Sequence, residues 1–197
     1  MNQSKMILEL ATQNKGFVTA AMVKENNLSA GVLKYLCDSG KLEKTARGVY
    51  TLPSSWDDKF INLQSRFKKG IFSHETALFL HNLTDRPPIK FHMTFPANYN
   101  LTMVKNFDVQ CHQNKIDIYN IGIVNATTPL GNIVKAYCPE KTLCAILVTK
   151  SKTEVQLIST AFKLYRDSDK KNIPLLSEYA KMLRVEKKVR TYLEVIL

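Results

Sequence analysis

The sequence predicts an α+β protein in two parts: a small helical domain closed by a two-stranded hairpin over residues 1–53, and a larger domain over residues 54–197 with a small mixed sheet covered by helices. Three observations lead there. Apolar residues recur at helical spacing through the first fifty positions and again from Pro139 onward. Short alternating runs bounded by proline or turn residues lie between them, from Lys90 to Ala126. The turn formers Pro53-Ser54-Ser55 separate the first pattern from the rest.

In chain order, Met6, Ile7, Leu10 and Ala11 share one face of a first helix over residues 3–14. Thr19 is placed to cap a short helix from Ala20 to Glu25, because its hydroxyl can accept an orphan backbone N–H. Asn26-Asn27 ends that helix, since asparagine tolerates left-handed backbone angles. Ser29 is expected to cap the next helix, which runs to Ser39 and stops at Gly40. Leu28, Val32, Leu33 and Leu36 form its inward stripe, leaving Ala30, Gly31, Lys34, Tyr35 and Asp38 outside. Two strands follow, Lys41 to Thr45 and Gly48 to Leu52, turning at Ala46-Arg47. This order reads as a winged helix-turn-helix whose second helix enters a major groove.

The second domain opens with a helix from Trp56-Asp57-Asp58 to about Lys69. Ser73 is expected to cap a helix over His74 to Leu80, with Thr76 at the capping-box position. Strands are expected at Lys90–Phe95, Phe107–His112, Ile116–Tyr119 and Ile121–Ala126, with Gln113-Asn114 as a hairpin turn. Helices then start at Pro139, near Val155, at Leu176 and at Glu186, the last reaching Leu197.

Of the 197 residues, 28 are Lys or Arg and 17 Asp or Glu, a net charge of +11 that calls for an acidic partner. Residues 1–53 hold seven basic against four acidic side chains, and residues 135–197 hold thirteen against seven. The candidate DNA contacts in the first domain are Thr19, Ser29 and Gly31 at helix starts, Lys34 and Tyr35 on the recognition face, and Lys44, Thr45 and Arg47 on the wing. Lys187, Lys188 and Arg190 offer a second, sequence-blind phosphate surface. The competing reading of the same elements is a module that docks a protein or an RNA.

Catalytic chemistry finds no support in the sequence. His-Glu-x-x-His, GxxxxGK[ST] and GxGxxG are absent, and His74, Glu75 and His81 lack the spacing that places two imidazoles on one metal. Asp108 and Asp117 read as solvent-side strand residues. Cys111-His112 with Cys138 lacks closely spaced ligand pairs, so no metal and no cofactor are expected. The cysteines Cys37, Cys111, Cys138 and Cys144 have no paired spacing and read as reduced thiols. With no apolar leader in MNQSKMILEL and no run long enough to span a bilayer, a cytoplasmic protein is expected.

Several short motifs occur in a specific order: Gly40-Lys41-Leu42, Arg47-Gly48-Val49-Tyr50, Phe72-Ser73-His74-Glu75-Thr76-Ala77-Leu78, His81-Asn82-Leu83, Thr94-Phe95-Pro96, Thr127-Thr128-Pro129 and Pro139-Glu140-Lys141-Thr142-Leu143. With them the chain resembles the AbiEi family of antitoxin-regulators of bacterial abortive-infection toxin–antitoxin systems. Lys141 stands where Arg is commoner in that family, and Cys144-Ala145 where an acidic residue is frequent. The resemblance implies a repressor of its own operon that binds inverted repeats in the promoter. It also implies an antitoxin that relieves a nucleotidyltransferase toxin of the AbiEii type, in phage resistance, without a stable complex (the type IV scheme). Inverted repeats require two copies side by side. The sequence has no heptad seam, so a monomer that binds DNA cooperatively is expected.

Overall fold

The computed structural model describes residues 3–53, 58–148 and 153–196. Ser54, Ser55, Trp56 and Asp57, which carry the expected boundary and the expected start of the next helix, lie outside the described residues, as does Leu197. Cα packing divides the chain into two compact units, Met1–Lys68 with Thr127–Val134, and Lys69–Ala126 with Lys135–Leu197. The first unit therefore takes in more chain than the 1–53 domain read from the sequence. Among the described residues no helix is long and apolar enough to cross a membrane.

The first unit begins with helix α1 (Gln3–Gln13), strand β1 (Phe17–Thr19), α2 (Ala20–Glu25), α3 (Gly31–Asp38), β2 (Glu43–Ala46) and β3 (Val49–Thr51). Isolated helices of 6 and 8 residues, such as α2 and α3, are too short to persist in water, so burial must hold them. Ile7, Ala11, Val18, Val23, Leu33, Leu36 and Leu42 supply that burial, none more than 1% exposed. Thr19 caps α2 as expected, its Oγ1 accepting the Met22 N–H at 3.1 Å. Asn27 takes φ +57°, the left-handed turn that ends α2. The end of α3 is a Schellman motif: Gly40 N–H donates to Cys37 O at 3.0 Å and Lys41 N–H to Leu36 O at 2.9 Å. Gly40 sits at φ +69°, where a side chain would be strained.

Two local expectations are corrected here. The residue flanking α3 is Ala30, and Ser29 reaches only Gly31 N–H, at 3.3 Å, so Ser29 makes a local turn rather than the helix cap. The hairpin turns at Arg47-Gly48, one residue later than expected, and gains a third strand, giving the antiparallel order β1-β3-β2. β1 has only three residues, too few to show a period. It exists because it pairs with β3, Phe17 against Thr51 and Thr19 against Val49.

Helix α4 (Lys59–Arg66) belongs to the first unit. Asp58 caps it, Oδ1 accepting Phe60 N–H at 2.9 Å and Ile61 N–H at 3.4 Å. The other carboxylate oxygen accepts Thr128 Oγ1 at 2.6 Å and Asn132 Nδ2 at 2.8 Å, which fastens segment 127–134 to the start of α4.

The second unit holds β4 (Ile71–Phe72), α5 (His74–Leu80), β5 (Phe91–Pro96), β6 (Val109–Asn114), α6 (Ile116–Asn120), most of β7 (Ile123–Thr127) and of β8 (Ile133–Tyr137), α7 (Pro139–Leu147), α8 (Val155–Asp167), α9 (Ile173–Met182) and α10 (Glu186–Ile196). The strands form one mixed sheet in the order β6-β5-β4-β8-β7, with β5 antiparallel to β4 and parallel to β6. The five helices α5 and α7–α10 pool an apolar core that includes Leu78, Leu143, Ile146, Phe162, Leu176 and Val189.

The expected strand at Ile116–Tyr119 is instead α6, and the expected turn at Gln113-Asn114 is the end of β6. The alternation of Ile116 and Ile118 misleads because Tyr119 is the residue that faces inward. Its hydroxyl donates to Lys69 O at 2.7 Å, its own carbonyl accepts from Tyr137 Oη at 2.9 Å, and Ile116 is 55% exposed. β4 and β8, which the sequence does not announce, occupy the middle of the sheet. Ser73 flanks α5 in extended conformation without a side-chain capping bond, and Thr76 Oγ1 accepts His92 N–H at 2.8 Å instead of closing a capping box.

Candidate nucleic-acid interface

The outward face of α3 is the one expected. Leu33 and Leu36 are buried, while Ser29, Ala30, Gly31, Lys34, Tyr35 and Asp38 are exposed, Tyr35 by 59%. Small groups at the helix start leave its backbone open to close approach, and Lys34 and Tyr35 lie one turn further along. In the same unit the hairpin β2–β3 exposes Lys44 and Arg47. Its turn is held against α2 by the bond from Ala20 N–H to Gly48 O at 2.9 Å.

Other candidates are engaged elsewhere. The register of β2 shifts between Lys44 and Ala46, and such a bulge turns the extra residue out of the ladder. Thr45 there is half-buried, and its Oγ1 donates to Asn62 Oδ1 at 3.1 Å, so its hydroxyl braces the hairpin against α4. Thr19 Oγ1 is occupied as the α2 cap. Thr45 donates its hydroxyl proton within the fold, whereas Thr19 accepts in its bond from Met22 N–H. On α10, Lys187 and Arg190 are exposed, whereas Lys188 Nζ donates to Leu147 O at 2.8 Å and ties α10 to the end of α7.

The second unit assembles residues that the sequence kept apart. His74 is 8% exposed, and its backbone sits at φ +50°. Its ring stacks on His112 with centroids 3.6 Å apart and planes 12° from parallel. His92 Nδ1 lies 3.1 Å from His112 Nε2. β5 and β6 run in parallel with Thr94 opposite His112, so His92 and His112 point to the same sheet face, while Cys111 points to the other. Cys111 and Cys138 therefore do not join His112 in a site. His81 is separate, its Nε2 bonded to Tyr137 O at 2.7 Å. Asp117 is on α6 rather than a strand, and Asp108 is an exposed loop residue paired with Lys90 at 3.7 Å.

Burial sets the protonation of these groups. Desolvation and the neighbouring rings push His74 well below its ordinary value, and desolvation pushes His92 and His112 down to about 4. Lys141, 1% exposed, is pushed down to about 7 by burial; its Nζ donates to Ile118 O and Ile121 O and lies 3.3 Å from the centre of the Tyr137 ring. No periodicity or spacing signals the histidine cluster, because its members reside on a helix and two strands linked by long connections.

Together these features describe a mixed α+β protein whose N-terminal helical segment presents a partly basic helix face and a basic hairpin. Residues 5–53 match the family described as Transcriptional regulator, AbiEi antitoxin. That match agrees with the resemblance read from Gly40-Lys41-Leu42 and Arg47-Gly48-Val49-Tyr50. No curated protein matches the chain in sequence. In three dimensions the chain is similar to the RV2827C protein from Mycobacterium tuberculosis, known from a crystal structure, with a TM-score of 0.57. The two are 13% identical over 91% of this chain and 71% of that one, which establishes a common fold.

Proposed function

We propose that this chain is a sequence-specific transcriptional repressor of its own toxin–antitoxin operon, and that its first unit works as a winged helix-turn-helix. The exposed strip of α3 with Lys34 and Tyr35 carries this reading, because it joins small groups at the helix start to polar side chains one turn on, the arrangement that suits a major groove. Arg47 and Lys44 on the wing contact phosphate or the minor groove, and Thr19, Ser29 and Gly31 set the helix starts against the backbone. Two copies occupy inverted repeats cooperatively, each a monomer in free solution. The second unit serves as the antitoxin part, countering a nucleotidyltransferase toxin in phage abortive infection without a lasting complex. The chain acts by binding and has no turnover of its own. The match over residues 5–53 supports the regulator and antitoxin parts of this reading, and the net charge of +11 supports the nucleic-acid partner.

A salt-titrated gel shift on the DNA upstream of the protein's own gene, beside a scrambled duplex, tests it. The expected result is two-step binding to the upstream DNA, at least about a thousandfold tighter than to the scrambled duplex and abolished when Lys34 and Arg47 are both alanine. Equal weak binding to the two duplexes would refute the repressor and leave a module for protein or RNA.

A further inference from the structure

The cluster of His74, His92 and His112 lies in the second unit, apart from the residues proposed to read DNA, and the fold holds it under burial and backbone strain. A residue other than glycine at φ +50° costs on the order of 1 kcal/mol or more, and that conformation at His74 is what turns its ring onto His112. The His74 and His112 rings lie face to face, and the His92 ring is 5.3 Å from that of His112 and 5.8 Å from that of His74. Imidazole nitrogens are what a borderline-soft dication binds, and the ion would take the place of the proton now shared between His92 Nδ1 and His112 Nε2.

The nitrogens are close enough. One nitrogen from each ring falls within 4.8 Å of the other two. In a tetrahedral zinc site with bonds of about 2.0–2.1 Å, neighbouring nitrogens are about 3.4 Å apart. His92 Nδ1 and His112 Nε2, at 3.1 Å, are already within a few tenths of an ångström of that spacing. His74 has to close by at most about 1.4 Å, and its ring, now stacked 12° from parallel on His112, has to turn out of that stack for its lone pair to meet the same ion.

The outer contacts fit the same assignment. Ligating histidines hold their second nitrogen against an oxygen, which fixes the tautomer. His74 Nδ1 is 3.1 Å from Ser73 Oγ, itself held by Thr94 Oγ1 at 2.9 Å, so Nε2 of His74 is the nitrogen left for a ligand. His92 directs Nε2 towards the Glu75 carboxylate at 3.9 Å, leaving Nδ1 towards His112. A cavity of about 230 Å³ opens beside His74 and His112, with Ser73, Thr94 and Lys141 also on its wall. It has room for a water or a small anion as fourth ligand.

We propose that His74, His92 and His112 form a three-histidine site for a first-row transition-metal dication of the Zn²⁺ class, with its fourth position facing the cavity. Glu75 and Ser73 are positioning residues for two of the ligands.

The test uses the tag-free full chain, stripped with chelator and titrated with Co²⁺ while visible absorption is followed. The expected outcome is one Co²⁺ per chain at micromolar metal, with the intense d–d bands of a four-coordinate ion, displaced by Zn²⁺. His112→Gln, a change at a half-exposed position, should weaken binding at least about tenfold, and His81→Gln should leave it unchanged. Absence of a one-to-one four-coordinate spectrum in the folded wild-type chain would overturn the site. So would a His112→Gln variant that titrates like the wild type, or a His81→Gln variant that loses binding equally.

Discussion

Asp58 is the residue whose removal the structure translates most directly into a number. It is 7% exposed, and its two oxygens accept four hydrogen bonds, from Phe60 N–H and Ile61 N–H at the start of α4 and from Thr128 and Asn132 on segment 127–134. Asp58→Ala removes a helix cap, a loss of about 1 kcal/mol. It also leaves Thr128 Oγ1 and Asn132 Nδ2 without their carboxylate partner, and those residues are 3% and 7% exposed. Each such orphaned buried group costs about 1–3 kcal/mol. The expected total is about 4 kcal/mol, a large share of the ~5–15 kcal/mol that holds a typical domain. Urea denaturation followed by circular dichroism measures it, as a lower midpoint at constant slope for the transition of the first unit. Asn132→Ala should recover part of the loss in the Asp58→Ala background, because it removes the orphaned Nδ2 while Thr128 Oγ1 keeps its bond from the backbone N–H of position 132, giving a coupling of at least ~1 kcal/mol in the double-mutant cycle. A loss below ~1 kcal/mol, or additive single effects, would refute the assignment of Asp58 as the clasp of this unit.

Four further outcomes are expected. Gly31→Ala should leave the fold intact, because Gly31 lacks a positive φ and an added Cβ would meet only Ser29 Oγ at 3.5 Å; a fall in promoter affinity at unchanged thermal stability would then report close approach of this helix start to DNA, and undiminished affinity would remove Gly31 from the interface. Arg47→Ala should weaken promoter binding at moderate salt, and unchanged affinity in the gel shift would take the wing out of the DNA-binding surface. Replacing Lys187 and Arg190 by alanine should lower the slope of log K against log salt by about 0.9 for each phosphate that is no longer neutralised; an unaltered slope assigns both to solvated surface. Lys188 is left out because its ammonium is tied to Leu147 O. Finally, burial pushes the Cys144 thiol up to about 12, so above its unfolded value near 9 the unfolded chain releases a proton that the folded chain keeps. Its contribution to stability is full below pH ~9 and vanishes towards 12, and Cys144→Ala should flatten the fall in unfolding free energy by about 1.4 kcal/mol per pH unit across that window.

Local chemistry made much of the first unit legible. Thr19, Asn27 and Gly40 act through bonds to residues within four positions, and the stripe of Leu33 and Leu36 follows from the pitch of one helix. The exposed strip with Lys34 and Tyr35 is the complement of that stripe, so the candidate DNA face came with it. The same locality explains why Pro139 marked a helix start correctly, and why the alternation at Ile116–Tyr119 did not mark a strand. There the deciding partners, Lys69 and Tyr137, lie 50 and 18 positions away.

Tertiary structure alone decided what depends on pairing between distant segments. β1 is too short to recognise before β3 is set beside it, β4 has only two residues, and β8 alternates in burial, Ile133 exposed and Val134 and Ala136 buried, in a way its residue types do not show. Asp58 became a clasp only when residues 127–134 came back to it. The three histidines became neighbours because β5 and β6 pair in parallel across a connection of about a dozen residues and α5 returns over the same face. Hydrogen-bond geometry and helical pitch are written within a few positions of each residue; which strands lie side by side is fixed by burial summed over the whole core, and no short stretch of sequence contains that sum.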